Sequence, residues 1–207
     1  MLRRNMDVAG PSNERPLLLA GPVLRRVQSN RLVLWLATRE PVRMRLRLGQ
    51  RVVPGGTVQV LQAGAHLFHH LIDAELSEPL TPGAWTPYTL EVEDAAAPEG
   101  WRDLLAADPS LCYPGQSSPG LRWEPRVASL LHGSCRKPHH QAAPGAHEGR
   151  AGDGLAEADR LLQRLLAGED VTAWPSALVL SGDQIYADDV AGPLLRAIHQ
   201  LSQQLGL

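Results

Sequence analysis

The stretch Leu178-Val-Leu-Ser-Gly-Asp-Gln-Ile-Tyr-Ala-Asp-Asp189 decides how the second half of this chain is organised. A short apolar run bounded by polar residues suits a buried parallel strand, which is covered on both faces and so lacks alternation. The loop after such a strand lies at the carboxyl edge of its sheet, where open α/β folds hold their ligands. Gly182 permits a sharp turn there and lets the Asp183 carboxylate point into the crevice. Asp183 and Tyr186, three residues apart, offer a carboxylate and a phenol to one hard cation.

Working outward, Val127 to His132 suits a preceding strand, followed by the loop Gly133-Ser-Cys-Arg-Lys-Pro138. Asp153 has the position and chemistry of an N-cap, and Gly168 those of a C-terminal stop. Between them Leu155, Ala158, Leu162, Leu165 and Leu166 make one apolar helical face. Ala177 to Leu180 returns as a strand, and Pro193 opens a further helix carrying Leu194, Leu195, Ile198 and Leu201. Strand, helix, strand with a long crossover implies parallel pairing with a right-handed connection. The loops Gly133-Ser-Cys135 and Ser181-Gly-Asp183 then emerge at the same sheet edge. If the two strands are neighbours, the Cys135 thiolate and the Asp183 carboxylate can share a metal, since a bound cation strips a thiol of its proton. A Tyr186 phenolate favours an oxidised, strongly Lewis-acidic ion such as ferric iron.

The first half has a different period. Val42-Arg-Met-Arg-Leu-Arg-Leu48 alternates cleanly, with Val42, Met44, Leu46 and Leu48 on one face and Arg43, Arg45 and Arg47 on the other. Leu17 to Pro22, Arg31 to Ala37, Thr57 to Leu61, His66 to Leu76 and Tyr88 to Glu93 supply further strands, separated by Gly/Pro turns. Six or so short strands at this pitch predict a β-sandwich over residues 17–94. The arginine row is expected to be a solvated face, and His66, His69 and His70 strand surface. Residues 95–125, with Pro98, Pro109, Pro114, Pro119 and Pro125, read as a linker that packs onto one or both units, because Trp101, Tyr113 and Trp123 need cover. Trp101 to Ala106 is its one short helix. Residues 126–207 form the α/β part.

Bulk properties narrow the function classes. Twenty Lys and Arg against 22 Asp and Glu leave no global field favouring nucleic acid or an anionic membrane. The first ten residues carry arginines with no apolar segment behind them, so they do not read as a signal peptide, and no run approaches a membrane span. A cytoplasmic protein is expected, with Cys112 and Cys135 unpaired.

Gly182-Asp183-Gln-Ile-Tyr186 resembles the Gly-Asp-x-x-Tyr block of metallophosphoesterases. Joined to Gly133-Ser-Cys135, it resembles the PhoD-like alkaline phosphatase and phosphodiesterase family, which also places a β-sandwich before its catalytic domain. The resemblance implies a fold of β-sandwich followed by the start of an α/β metallophosphoesterase domain. It implies that Cys135 and Tyr186 ligate iron, and that Asp183 bridges iron to a second ion such as calcium. The substrate would be a phosphate ester, attacked by a water that two ions about 3.5–4 Å apart acidify. Arg136 and Lys137 are candidates for phosphate contact. His139, His140 and His147 follow in a Pro/Gly-rich loop, and Asp188 and Asp189 suit helix capping.

Such enzymes take further ligands from later loops, typically an Asn-His block, and no Asn-His pair follows residue 186 here. The chain is therefore expected to be an N-terminal fragment, inactive alone, whose open sheet edge favours pairing with another chain. The competing expectation is a non-catalytic interaction module built on the β-sandwich, with a vestigial α/β tail.

Overall fold

The computed structural model describes residues 15–136, 153–169, 172–186 and 190–207. Among these residues the fold is mostly antiparallel β-sheet with two α-helices. Strand β1 spans Leu18–Gln28, β2 Arg31–Thr38, β3 Met44–Leu48, β4 Arg51–Val52, β5 Gly55–Gly64, β6 Leu67–Glu75 and β7 Trp85–Glu93. One sheet has the order β1-β2-β6-β5 and the other begins β4-β3-β7. Three strands bury alternate residues: Leu32, Leu34 and Leu36 from β2, Ile72 and Ala74 from β6, and Tyr88, Leu90 and Val92 from β7. Together they close a sandwich-like core, as period-two apolar patterning requires. Burying one leucine contributes roughly 1.5–3 kcal/mol, so this inward set dominates the stability of the first half.

The alternation of β3 is as its sequence predicts. Leu46 is buried, and Val42, Met44 and Leu48 pack against the core. The arginines on the other face are paired across to β7: Arg45 Nε lies 2.5 Å and Arg47 Nη1 3.4 Å from Glu91, and Arg43 Nη1 lies 3.2 Å from Glu93. Arg45 also covers the Trp101 ring at 4.4 Å. Cross-strand opposite charges at matching register account for a face that the strand sequence alone left solvated.

Residues expected to be a linker contribute to the sandwich. Trp101–Asp103 is a strand, β8, not the start of a helix, and Leu105–Ala107 is a single 3-10 turn. Both β8 and β9 (Gly120–Arg122) pair with β7, while Leu104, Leu105 and Leu121 join its core. The helix expectation failed because edge pairing with Glu91–Glu93 outweighs the local propensity of a short apolar segment.

The α/β part consists of β10 (Ser129–Gly133), α1 (Gly154–Ala167), β11 (Pro175–Leu180) and α2 (Gly192–Leu205). Helix α1 starts at the expected cap, with the Asp153 side chain accepting from the Leu155 N–H, and ends at Gly168 in the left-handed region. An aromatic bridge ties this part to the sandwich. Trp174, immediately before β11, meets Trp85 edge-on at 6.2 Å, and the Arg122 guanidinium lies over the Trp174 ring at 5.4 Å. Tyr113 packs against the other side of that group at 6.3 Å from Trp85, and its hydroxyl donates to Asp159 of α1 at 2.9 Å. Gly120 is required here, since any Cβ would enter the Trp85 indole. The end of α2 is tied to the β5–β6 turn through the Leu205 carbonyl, which accepts from the His66 N–H at 2.9 Å. Among the described residues, no helix is long and apolar enough to cross a membrane.

His70 corrects the expectation of a surface histidine. It is fully buried, inward-facing between Phe68 and Ile72 on β6, whereas His66 is exposed and His69 stacks on Trp35 at 5.6 Å. The period of two places 68, 70, 72 and 74 inside, so the signal was present in the strand pattern. Thr38 Oγ1 donates its one proton to the Glu40 carbonyl at 2.6 Å, so it accepts from His70 Nε2–H at 2.7 Å. His70 Nδ1 is left without a protein partner among the described residues. Burial, then the neighbouring His69, lowers the His70 pKa from the ordinary 6.5. The unfolded chain therefore binds a proton at a pH where the folded one does not. Stability is full above pH 6.5 and falls as pH drops toward the depressed folded value. In urea titrations from about pH 7.5 down to about pH 5, stability should decline, and His70→Gln, which keeps the donor and removes the titration, should flatten that decline.

Candidate functional site

Strands β10 and β11 pair in parallel, with Leu130 opposite Ala177, Leu131 opposite Leu178, His132 opposite Val179 and Gly133 opposite Leu180. In-register parallel pairing forces both following loops to leave the sheet at one edge. The ladder continues beyond the strands. Ser181 N–H donates to the Gly133 carbonyl at 3.0 Å, Cys135 N–H to the Gly182 carbonyl at 3.2 Å, and Arg136 N–H to the Asp183 carbonyl at 2.8 Å. The two loops are thereby zipped to each other rather than splayed. Side chains reinforce the zipper: His132 Nε2 and Ser181 Oγ lie 2.8 Å apart and Ser134 Oγ donates to the Gly182 carbonyl at 3.3 Å, while within the second loop Gln184 Nε2 donates to that same carbonyl at 2.6 Å.

This arrangement brings the Cys135 thiol to Asp183, with Sγ donating to Oδ2 at 3.4 Å. Both residues are exposed and face solvent at the sheet edge. Both also occupy the left-handed region, at φ 54° for Cys135 and φ 49° for Asp183, and they are the positive-φ residues other than glycine among those described. Strain of this kind persists only where surrounding contacts over-determine the backbone, and it concentrates at functional sites. Gly182 stands at φ 150°, a conformation that L-residues rarely adopt.

Tyr186 follows Asp183 in the same loop and is half-buried. Arg136, the first candidate for phosphate contact, grips Asp153 with two 2.9 Å hydrogen bonds. Lys137, His139, His140, His147, Asp188 and Asp189 lie outside the described residues. Among the described residues no three His, Cys, Asp or Glu side chains gather as a metal cluster. Both cysteines are free, and burial pushes the Cys112 thiol up in pKa. Beside the loops, a cavity of ≈ 580 Å³ separates α1 from the sheet, floored by Leu131, Leu178 and Leu180 and roofed by Leu155, Ala158 and Leu161.

Sequence reasoning missed the Arg136–Asp153 pair and the supporting roles of His132, Ser134, Ser181 and Gln184. Asp153 was legible as a cap, but its second partner lies 17 positions away in the sequence. Single polar residues beside a strand end carry no pattern that announces a cross-loop bond.

Residues 15–103 match a family model described as Domain of unknown function (DUF7800). That match runs from the start of the sandwich through β8 and stops short of β10 and β11. Neither the curated proteins nor the solved structures contain a match to this chain.

The strained backbone gives a test with opposite signs at neighbouring positions. Cys135→Gly should relieve about 1–2 kcal/mol of left-handed strain against about 0.4–1 kcal/mol of added unfolded-state freedom, a net gain of up to about 1.6 kcal/mol. Gly182→Ala should destabilise by about 1–3 kcal/mol despite open space around its Cβ. Equilibrium urea unfolding of both variants measures the two shifts.

Proposed function

We propose that the zipped loops form part of the metal centre of a PhoD-like phosphoesterase, acting on a phosphate ester. The observation that carries this is the approach of Cys135 Sγ to within 3.4 Å of Asp183 Oδ2 at the carboxyl edge of a parallel strand pair. Two ligands of one ion, each about 2.0–2.3 Å from it, sit about 3 Å apart when adjacent in its coordination sphere, so the donor spacing fits. The donor types fit as well: a thiolate, a carboxylate and, from Tyr186 in the same loop, a phenolate suit an oxidised transition metal better than magnesium or calcium alone.

Cys135, Asp183 and Tyr186 would hold ferric iron, and Asp183 would offer its other oxygen to calcium. Bound there, the ions would supply Lewis acidity toward the phosphoryl oxygens and an acidified water for attack on phosphorus. The chain's own groups prepare for this. Cys135 and Asp183 are both exposed, so the thiol proton would leave to solvent on metal loading, and the sheet edge leaves room for an ester to approach. The left-handed backbone at both residues fixes the donors before any ion arrives, which removes an ordering cost from binding.

A second reading, the interaction module, has its own support. The β10–β11 pair exposes Leu130 and Val179 on the face away from α1, and α2 exposes Leu194, Leu195, Ile198 and Leu201. Apolar residues so grouped mark contact surfaces.

One experiment separates the two. Ferric iron titrated into the chain should produce a visible charge-transfer band that Cys135→Ala and Asp183→Ala each abolish. With calcium added, an aryl phosphodiester should remain unhydrolysed, because the described donors fill only part of two coordination spheres. The absence of a band in the unsubstituted chain would refute the metal centre and leave the interaction module. Turnover lost in Asp183→Ala would support the phosphoesterase and overturn the expectation of an inactive fragment.

A further inference from the structure

The geometry points to the Arg136–Asp153 ion pair as the positioning device that holds the Cys135 thiol against Asp183. This rests on the phosphoesterase reading only for what the thiol is positioned to do. Arg136 Nε and Nη2 donate to the two carboxylate oxygens of Asp153 at 2.9 Å each, a planar fork-to-fork arrangement that fixes direction as well as distance. Asp153 is 9% exposed, and Oδ1 also accepts from the Leu155 N–H at 3.1 Å. A carboxylate that far from solvent requires a partner, and removing the partner costs more than the pair itself contributes. The guanidinium is accordingly held in its charged form by Asp153.

The pair links three elements through adjacent residues. Its side chains join the loop after β10 to the first turn of α1, while the Arg136 N–H donates to the Asp183 carbonyl at 2.8 Å. Cys135, one residue earlier, is thus bracketed by its own bond to Gly182 and by Arg136, whose backbone is bound to one loop and whose side chain is bound to α1. A non-glycine residue at φ 54° needs such over-determination. Helix capping alone does not explain the arginine, because Asp153 would cap Leu155 equally well without it, and asparagine caps as well as aspartate. The bidentate fork needs a carboxylate facing a guanidinium, which neither asparagine nor lysine supplies.

The two roles therefore separate by conservative substitution. Asp153→Asn keeps the cap and loses the charged fork; Arg136→Lys keeps the charge and loses the planar geometry. In each, amide hydrogen exchange at Cys135 and Arg136 should accelerate at least tenfold, while the β10–β11 ladder amides and the circular dichroism of the helices stay unchanged. The double variant should exchange no faster than the faster single one, since both remove a single device. The iron concentration for half-maximal charge-transfer absorption should rise at least tenfold in the singles. Unchanged exchange at Cys135, or multiplicative acceleration in the double variant, would overturn the positioning role. If the unsubstituted chain takes up no iron, the phosphoesterase reading fails, and the exchange rates still decide whether the pair positions Cys135.

Discussion

One parallel ladder, Leu130–Gly133 against Ala177–Leu180, governs everything that is distinctive in the second half of this chain. Parallel pairing slants its hydrogen bonds and keeps both strands pointing the same way, so two loops 48 residues apart in sequence must exit side by side. The ladder then extends through Ser181, Cys135 and Arg136 into the loops themselves. Cys135 and Asp183 are held in left-handed conformations because their neighbours are already bonded across the gap. An antiparallel pair would have sent the loops to opposite ends of the sheet and left neither donor a partner.

The sandwich is the frame against which the α/β part is held. Its interior is closed by leucines from both sheets, and its outer arginines are neutralised by Glu91 and Glu93. Its connection to the α/β part is aromatic: Trp85, Tyr113 and Trp174 meet in one cluster, with Arg122 over the last ring. Trp174 stands directly before the strand that leads to Asp183, so the cluster sets the position of that strand on the sandwich. Aromatic groups suit such a joint because they bury large areas with few rotatable bonds.

Much of this was legible in the sequence, for reasons that differ by region. The alternation from Val42 to Leu48 announced an inward face because side chains on a strand repeat every two residues. Asp153 and Gly168 announced the ends of α1 because caps have strict chemistry. The parallel direction that sends Gly133-Ser-Cys135 and Gly182-Asp183 to one sheet edge followed from the crossover length; that the two strands are neighbours is seen in the ladder itself. Other features were out of reach or misjudged. Nothing local distinguishes Trp101 at the head of an edge strand from Trp101 at the head of a helix; the pairing partner, Glu91–Glu93, decides. His70 was judged by its polarity, when its register with Phe68, Ile72 and Ala74 places it between the sheets. The Arg136–Asp153 fork depends on where the chain places Asp153 relative to Arg136, which no spacing rule encodes.

The claim at the centre of this account is that Cys135 and Asp183 act together on one metal ion. X-ray absorption at the iron edge of the ferric-loaded chain tests it most directly. The account predicts one sulfur scatterer in the first coordination shell, lost in Cys135→Ser. A shell of oxygen and nitrogen alone in the unsubstituted chain would contradict it, leaving the strained pair at the sheet edge without the function proposed for it.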